Sequence, residues 1–219
     1  MRENSPKSRP TGLFLPGWGA PARQYVVGLP EAWEVLELPS FRKTRGDLLA
    51  YRSWLAEEIA GRDSPVALAG HSMGGALALL GAIDRPELVT RLILLSPAGL
   101  PLTKPIPSSL GTFVRQVATG RYPFFKAGRS MLRVALAPRS ALRLGRVVHQ
   151  LDLRPELDRF RANPVPCTVV GCSTDTMTPS SHCRLLATLI GAEYVEVDAP
   201  DGHIWPITHP EMLRAVLSR

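Results

Sequence analysis

The sequence predicts an α/β fold, a mostly parallel sheet flanked by helices, and three observations carry that expectation. Short, mainly apolar runs (Val66–Ala69, Leu92–Leu95 and Cys167–Gly171) recur along the chain, with helical patterns between them. A strand buried on both faces reads as such a run, and parallel neighbours need a crossover connection. One junction, Gly70-His71-Ser72-Met73-Gly74-Gly75, turns an apolar strand at once into an apolar helix. Finally, 219 residues with 45% hydrophobic and 21% charged content suit one domain with a sizeable core.

Taken in order, Met1 to Pro10 is polar and basic and reads as a disordered lead. It lacks the apolar stretch of a signal peptide, and no run of 18 apolar residues follows, so a cytoplasmic protein without a transmembrane segment is expected. Gly12–Leu15 is a buried strand ending in Pro16-Gly17-Trp18-Gly19. Trp33 to Leu38 reads as the next strand. Thr44 to Gly61 reads as one amphipathic helix, with Leu48, Leu49, Trp54, Leu55 and Ile59 on one side.

The elbow strand and a helix from Gly74 through Ala82 follow, then the strand Leu92–Leu95. From residue 101 to 161 the character changes. Pro101, Pro105 and Pro107 crowd its start, and apolar patches in helical spacing follow around Phe113–Val117, Met131–Leu136 and Leu142–Leu151, without a strand run. The strand Cys167–Gly171 resumes the sheet. Helix Ser180–Ile190, strand Tyr194–Val197, a loop carrying His203 and a last helix complete the chain. Cys167, Cys172 and Cys183 form no C-x-x-C pair, which argues for packing roles in a reducing compartment.

The glycines around Ser72 suggest why that serine matters. A strand that turns at once into a helix bends sharply, so its neighbours must be small. The bend would hold the Ser72 hydroxyl at a helix N-terminus, where amides face a developing oxyanion. With this Gly-x-Ser-x-Gly elbow between strand and helix, the chain resembles the α/β-hydrolase family. The resemblance implies a sheet lacking the family's first two antiparallel strands. It divides the chain into a core of residues 11–100 and 162–219 and a helical cap inserted at 101–161. It also implies that the backbone amides of Trp18 and Met73 form the oxyanion hole.

A serine hydroxyl needs a base within hydrogen-bond reach, and the base needs an orienting acid. The family order is Ser, acid, His. Asp175 follows a strand in a Thr-Asp-x-x-Thr-Pro setting, and His203 lies in a Gly-His loop after the next strand. Both positions lie at C-terminal strand ends, where sites in such sheets gather. Ser72, Asp175 and His203 are therefore the expected catalytic residues. His71 is pinned in the elbow, His209 reads as a surface turn, and His149 and His182 fall in helix patterns. Asp198 and Asp201 share the loop of His203. Ser96 stands where some relatives place the acid.

The expected chemistry is hydrolysis of a small-molecule carboxylic ester without cofactor or metal; neither a His-Glu-x-x-His pattern nor a phosphate loop is present. The Gly-Trp-Gly loop, short length and basic middle resemble esterases of pimeloyl carrier-protein methyl ester, although Pro16 stands where many relatives have His. A lysophospholipase or a monoacylglycerol lipase fits as well, and so does a non-catalytic binding protein of the same fold. Residues 101–161 hold 12 Lys/Arg against 3 Asp/Glu, while the whole chain is only +7. Arg129, Arg133, Arg139, Arg143 and Arg146 therefore read either as a solvated face or as a substrate-binding surface for an acidic carrier protein or anionic lipid. No nucleic-acid-binding motif accompanies them.

Overall fold

The computed structural model describes residues 11–102 and 124–219, with side chains from residue 128 onward in the second stretch. The lead at 1–10 and the helical pattern at Phe113–Val117 lie outside the described residues.

Among the described residues, six strands form one sheet: β1 (Gly12–Leu15), β2 (Trp33–Val35), β3 (Val66–His71), β4 (Val89–Leu95), β5 (Cys167–Cys172) and β6 (Glu193–Val197). Their spatial order is β2-β1-β3-β4-β5-β6, and every neighbouring pair is parallel. The register sets Leu15 beside Gly70, His71 beside Leu95, Leu95 beside Val170 and Cys172 beside Val197. The C-terminal ends of the central strands are thus level. Whatever follows Leu15, His71, Leu95 and Cys172 emerges along one edge.

Alternating side chains split the core in two. Leu13, Leu15, Leu68, Leu92, Leu94 and Val169 pack on one face, against α2 (Leu48–Ala60), α3 (Met73–Asp84) and, further along, α7 (Ser180–Ile190). Phe14, Ala69, Ile93, Leu95, Val170 and Cys172 pack on the other. That second face meets Tyr25, α8 (Trp205–Thr208) and α9 (Pro210–Leu217). Both layers are apolar, which is why the central strands read as unbroken hydrophobic runs.

The single helix expected from Thr44 to Gly61 is two. A short α1 (Phe41–Thr44) stops where Arg45 and Gly46 take positive φ of 53° and 69°. A new helix starts at Leu48, capped by the Asp47 carboxylate, which accepts from the Leu49 amide at 3.0 Å. The restart rotates the apolar face. Leu48, Tyr51, Leu55 and Ile59 are buried, Trp54 is half-buried, and Leu49 is 65% exposed. Arg52 fills a further position toward the protein, pairing with Asp84 at 2.6 Å and Glu156 at 2.8 Å. The strand expected over Trp33 to Leu38 ends at Val35.

The helices described between β4 and β5 include α4 (Phe124–Ala135), α5 (Pro138–His149) and α6 (Leu157–Ala162). Ala141, Leu144 and Val148 of α5 are buried in the first core layer. Arg133 of α4 turns inward, donating to the Glu37 carboxylate and the Leu38 carbonyl. The Trp18 indole donates to the Ala141 carbonyl at 3.1 Å, which ties α5 to the loop after β1.

Candidate active site

Ser72 stands between β3 and α3 with φ 56° and ψ −118°, a conformation that L-residues rarely adopt. The bend brings backbones together. A Cβ on Gly70 would overlap the Gly74 carbonyl, and one on Gly74 would overlap the Leu15 carbonyl. The Ser72 carbonyl accepts the amides of Gly75 and Ala76, so the helix begins at the serine itself. The Ser72 hydroxyl stands clear of the helix, with no side-chain cap bond.

His203 lies in a 3-10 turn, Gly202–Ile204, directly before α8. Gly202 takes φ 58°, and a Cβ there would lie 2.9 Å from the Thr174 carbonyl oxygen, so the position favours glycine. This turn points the imidazole at Ser72, with His203 Nε2 3.0 Å from Ser72 Oγ. Its Nδ1 lies 2.8 Å from Asp175 Oδ2. Asp175 follows β5, its amide donating back to the Cys172 carbonyl at 3.1 Å.

The Asp175 carboxylate is fully bonded. Oδ1 accepts the Met177 and Thr178 amides at 2.8 and 3.0 Å, and Oδ2 accepts the Thr178 hydroxyl at 2.8 Å as well as facing His203. Burial pushes its pKa up, but the neighbouring His203 and the hydrogen bonds from His203 and Thr178 outweigh that and hold it at about 2. The group is therefore a carboxylate at neutral pH, with the imidazole Nδ1–H as its donor.

The series Ser72, His203, Asp175 thus comes from three separate strand ends. The loop after β1 flanks it: a Cβ on Gly17 would lie 3.5 Å from the Ser72 Cβ. Trp18 follows Gly17 in that loop, and Met73 is the first residue of α3, where amides have no intrahelical partner.

A search of protein-family models matches residues 13–216 to the alpha/beta hydrolase family. The chain belongs to that family. Among curated relatives it is 28% identical over 173 residues to a pyrrolizixenacetamide deacetylase of Xenorhabdus hominickii. That match takes in 69% of this chain and 64% of the deacetylase, so the chain spans under two thirds of that relative's length. Among solved structures, a bacterial membrane phospholipase A superposes with a TM-score of 0.72 at 21% identity, covering 98% of this chain and 80% of the phospholipase. An enol-lactonase from Burkholderia xenovorans LB400 gives 0.67 at 20%, with 98% and 94% covered. Likeness at that identity speaks for the α/β-hydrolase fold alone.

The other candidates fall elsewhere. Asp201 pairs with His209 at 3.2 Å, and Asp198 accepts from the Ser173 hydroxyl at 2.6 Å. Ser96, at φ 41°, has its hydroxyl buried without a hydrogen-bond partner among the described residues, while its carbonyl oxygen lies 3.1 Å from Thr178 Oγ1. His182 sits in the first turn of α7, half-buried, its pKa lowered chiefly by burial. The arginines divide: Arg129, Arg139, Arg143 and Arg146 are exposed on α4 and α5, whereas Arg133 is held by Glu37. Arg133 is thus bonded within the protein rather than standing outward with the other four.

Two further residues join the site beyond those the sequence points to. Thr178 bridges Asp175, His203 and Ser96, its Oγ1 3.1 Å from His203 Nδ1. The Thr-Pro after Asp175 was a legible signal, but only the fold turns its hydroxyl onto the carboxylate. Tyr25 is wholly buried, its hydroxyl 2.8 Å from His71 Nδ1.

Proposed function

We propose that the protein is a serine hydrolase that cleaves carboxylic esters through an acyl-enzyme. The carrying observation is the unbroken hydrogen-bonded series from Ser72 Oγ through His203 to Asp175 Oδ2, with Ser72 at a strained bend at a helix N-terminus. His203 Nε2 takes the Ser72 proton as Oγ attacks the ester carbonyl carbon. The amides of Met73 and Trp18 meet the carbonyl oxygen as it gains negative charge. His203 then returns the proton to the leaving alcohol as its C–O bond breaks. Next it takes a proton from water, whose oxygen attacks the acyl carbon, and gives that proton to Ser72 Oγ as the acyl–Oγ bond breaks and the carboxylic acid leaves. Asp175 holds the imidazole tautomer and offsets the charge of the imidazolium.

Residues 101–161 act in this reading as a cap over a core of 11–100 and 162–219. Its described part is helical, and Trp18 and Arg133 anchor it beside the Ser72 loop. Between residues 124 and 151 the sequence has no Asp or Glu. The outer face of α4 and α5 exposes Met131, Leu132, Leu136 and Leu142 among its arginines. That mixture favours an ester with an anionic, lipid-like part, such as a lysophospholipid, over one borne on an acidic carrier protein.

The test is Ser72→Ala, which should remove ~10⁴-fold or more of kcat, since the three residues act as a unit. A fluorophosphonate should label the wild type and not the variant. A folded wild type that takes no label and hydrolyses no p-nitrophenyl ester from acetate to palmitate would leave the rival reading, a ligand-binding member of the fold.

A further inference from the structure

His71 and Tyr25 form part of a buried chain of hydrogen bonds beside the site. The Gly17 amide lies 3.3 Å from Tyr25 Oη, Tyr25 Oη lies 2.8 Å from His71 Nδ1, and His71 Nε2 lies 2.8 Å from the His203 carbonyl oxygen. Its four members come from the loop after β1, the 22–28 stretch, the end of β3 and the turn that carries His203.

The ends of the chain fix its direction. A backbone amide only donates, so Tyr25 Oη accepts from Gly17. A carbonyl only accepts, so His71 Nε2 carries a proton. The Tyr25 proton then points at His71 Nδ1, which must be bare. One tautomer, neutral Nε2–H, satisfies all three contacts without an extra proton. The surroundings agree. His71 is 4% exposed, and its ring lies 4.9 Å from that of His203. Burial first, then the neighbouring His203, holds its pKa down to about 3. His71 therefore stays uncharged while its neighbour cycles through the imidazolium.

We infer that Tyr25 and His71 are positioning residues that keep the His203 turn and the Pro16-Gly17-Trp18 loop in register through this directed chain. The catalytic consequence rests on the proposed role of His203 as base. The base and one oxyanion donor sit on loops that share no strand pairing of their own. The chain ties the main chain of one to that of the other, across the residue that precedes the nucleophile. A slip of either loop would displace a reacting group, and displacements near an ångström cost on the order of 10²-fold.

The experiment has an arm that does not depend on turnover. The ¹⁵N chemical shifts of the His71 ring in the wild type at pH 7 should show Nε2 protonated and Nδ1 bare. Nδ1–H, or a doubly protonated ring, would overturn the chain. In the activity arm, Tyr25→Phe deletes one oxygen and should lower kcat roughly 10-fold with KM little changed. His71→Gln keeps a donor near the Nε2 position and should stay within a few-fold of the wild type, whereas His71→Leu should lose roughly 100-fold. Unchanged kcat in a folded Tyr25→Phe, or Gln falling as far as Leu, would sink the positioning role. Failure of the ester-hydrolase reading would instead show as an inert wild type, with the tautomer still reporting on the chain.

Discussion

Asp175 Oδ2 lies 2.8 Å from His203 Nδ1, although 28 residues separate them, while Asp201, only two residues away from His203, faces His209. In the proposed mechanism the acid is therefore Asp175 and not its nearer neighbour in sequence. Asp175→Asn should lower kcat by about 10³–10⁴-fold, because an amide in that place no longer favours the Nδ1–H tautomer. Asp201→Asn should change kcat by less than about 10-fold, since its carboxylate faces His209 while Asp175 already faces His203 Nδ1. Steady-state kinetics of both variants on one p-nitrophenyl ester decide the matter, and the opposite ranking would move the acid role.

Thr178 gives Asp175 both an amide and a hydroxyl bond. Thr178→Val keeps the shape and removes the hydroxyl. A hydrogen bond to a charged group contributes about 1.5–3 kcal/mol, so kcat/KM should fall about 10-fold or more. Thr178→Ser should recover most of it. A valine variant with wild-type kcat/KM would mean the hydroxyl only fills space.

Arg52 joins α2 to α3 and to the turn before α6 through Asp84 and Glu156. Its hydrogen bonds hold both carboxyls below their ordinary pKa values. Their stabilising share is therefore complete above the usual carboxylate pKa of ~4 and is lost as pH falls through the lower folded-state values. Arg52→Met should cost about 1–3 kcal/mol in urea unfolding at pH 7, an interval that allows for partial solvent screening. The gap to the wild type should narrow below pH ~4. A gap that is constant from pH 7 to 3 would show that Arg52 acts through packing alone.

The exposed arginines are the proposed surface for an anionic substrate. Arg139→Glu with Arg143→Glu should leave kcat/KM for a small neutral ester near the wild type. It should lower kcat/KM for an anionic lysolipid, and added salt should erase the wild-type preference, because screening acts over ~10 Å at 0.1 M. Equal effects on both substrates would return these residues to a solvated face.

The sequence by itself determined the strand-to-helix bend at Ser72 and most elements around it. A doubly buried strand must be apolar throughout, and a backbone crossing needs glycine at Gly70 and Gly74. Such demands act within a few residues and leave a local mark. The family order and the settings after predicted strands marked Asp175 and His203, and the ends of β3, β5 and β6 bring His203 within hydrogen-bond distance of both Ser72 and Asp175.

Only the tertiary structure decided the rest. The break at Arg45–Asp47 interrupts a helical pattern that reads as continuous, because the close approach of Gly46 to Ser140 is a contact between distant segments. Arg133 sits in a basic run yet meets Glu37, 96 residues away. Tyr25 looks like any core aromatic until its hydroxyl is seen against His71, 46 residues on. A hydrogen bond is set by direction and by tenths of an ångström, and a residue's type and spacing carry no record of either until the packed sheet brings the partners together.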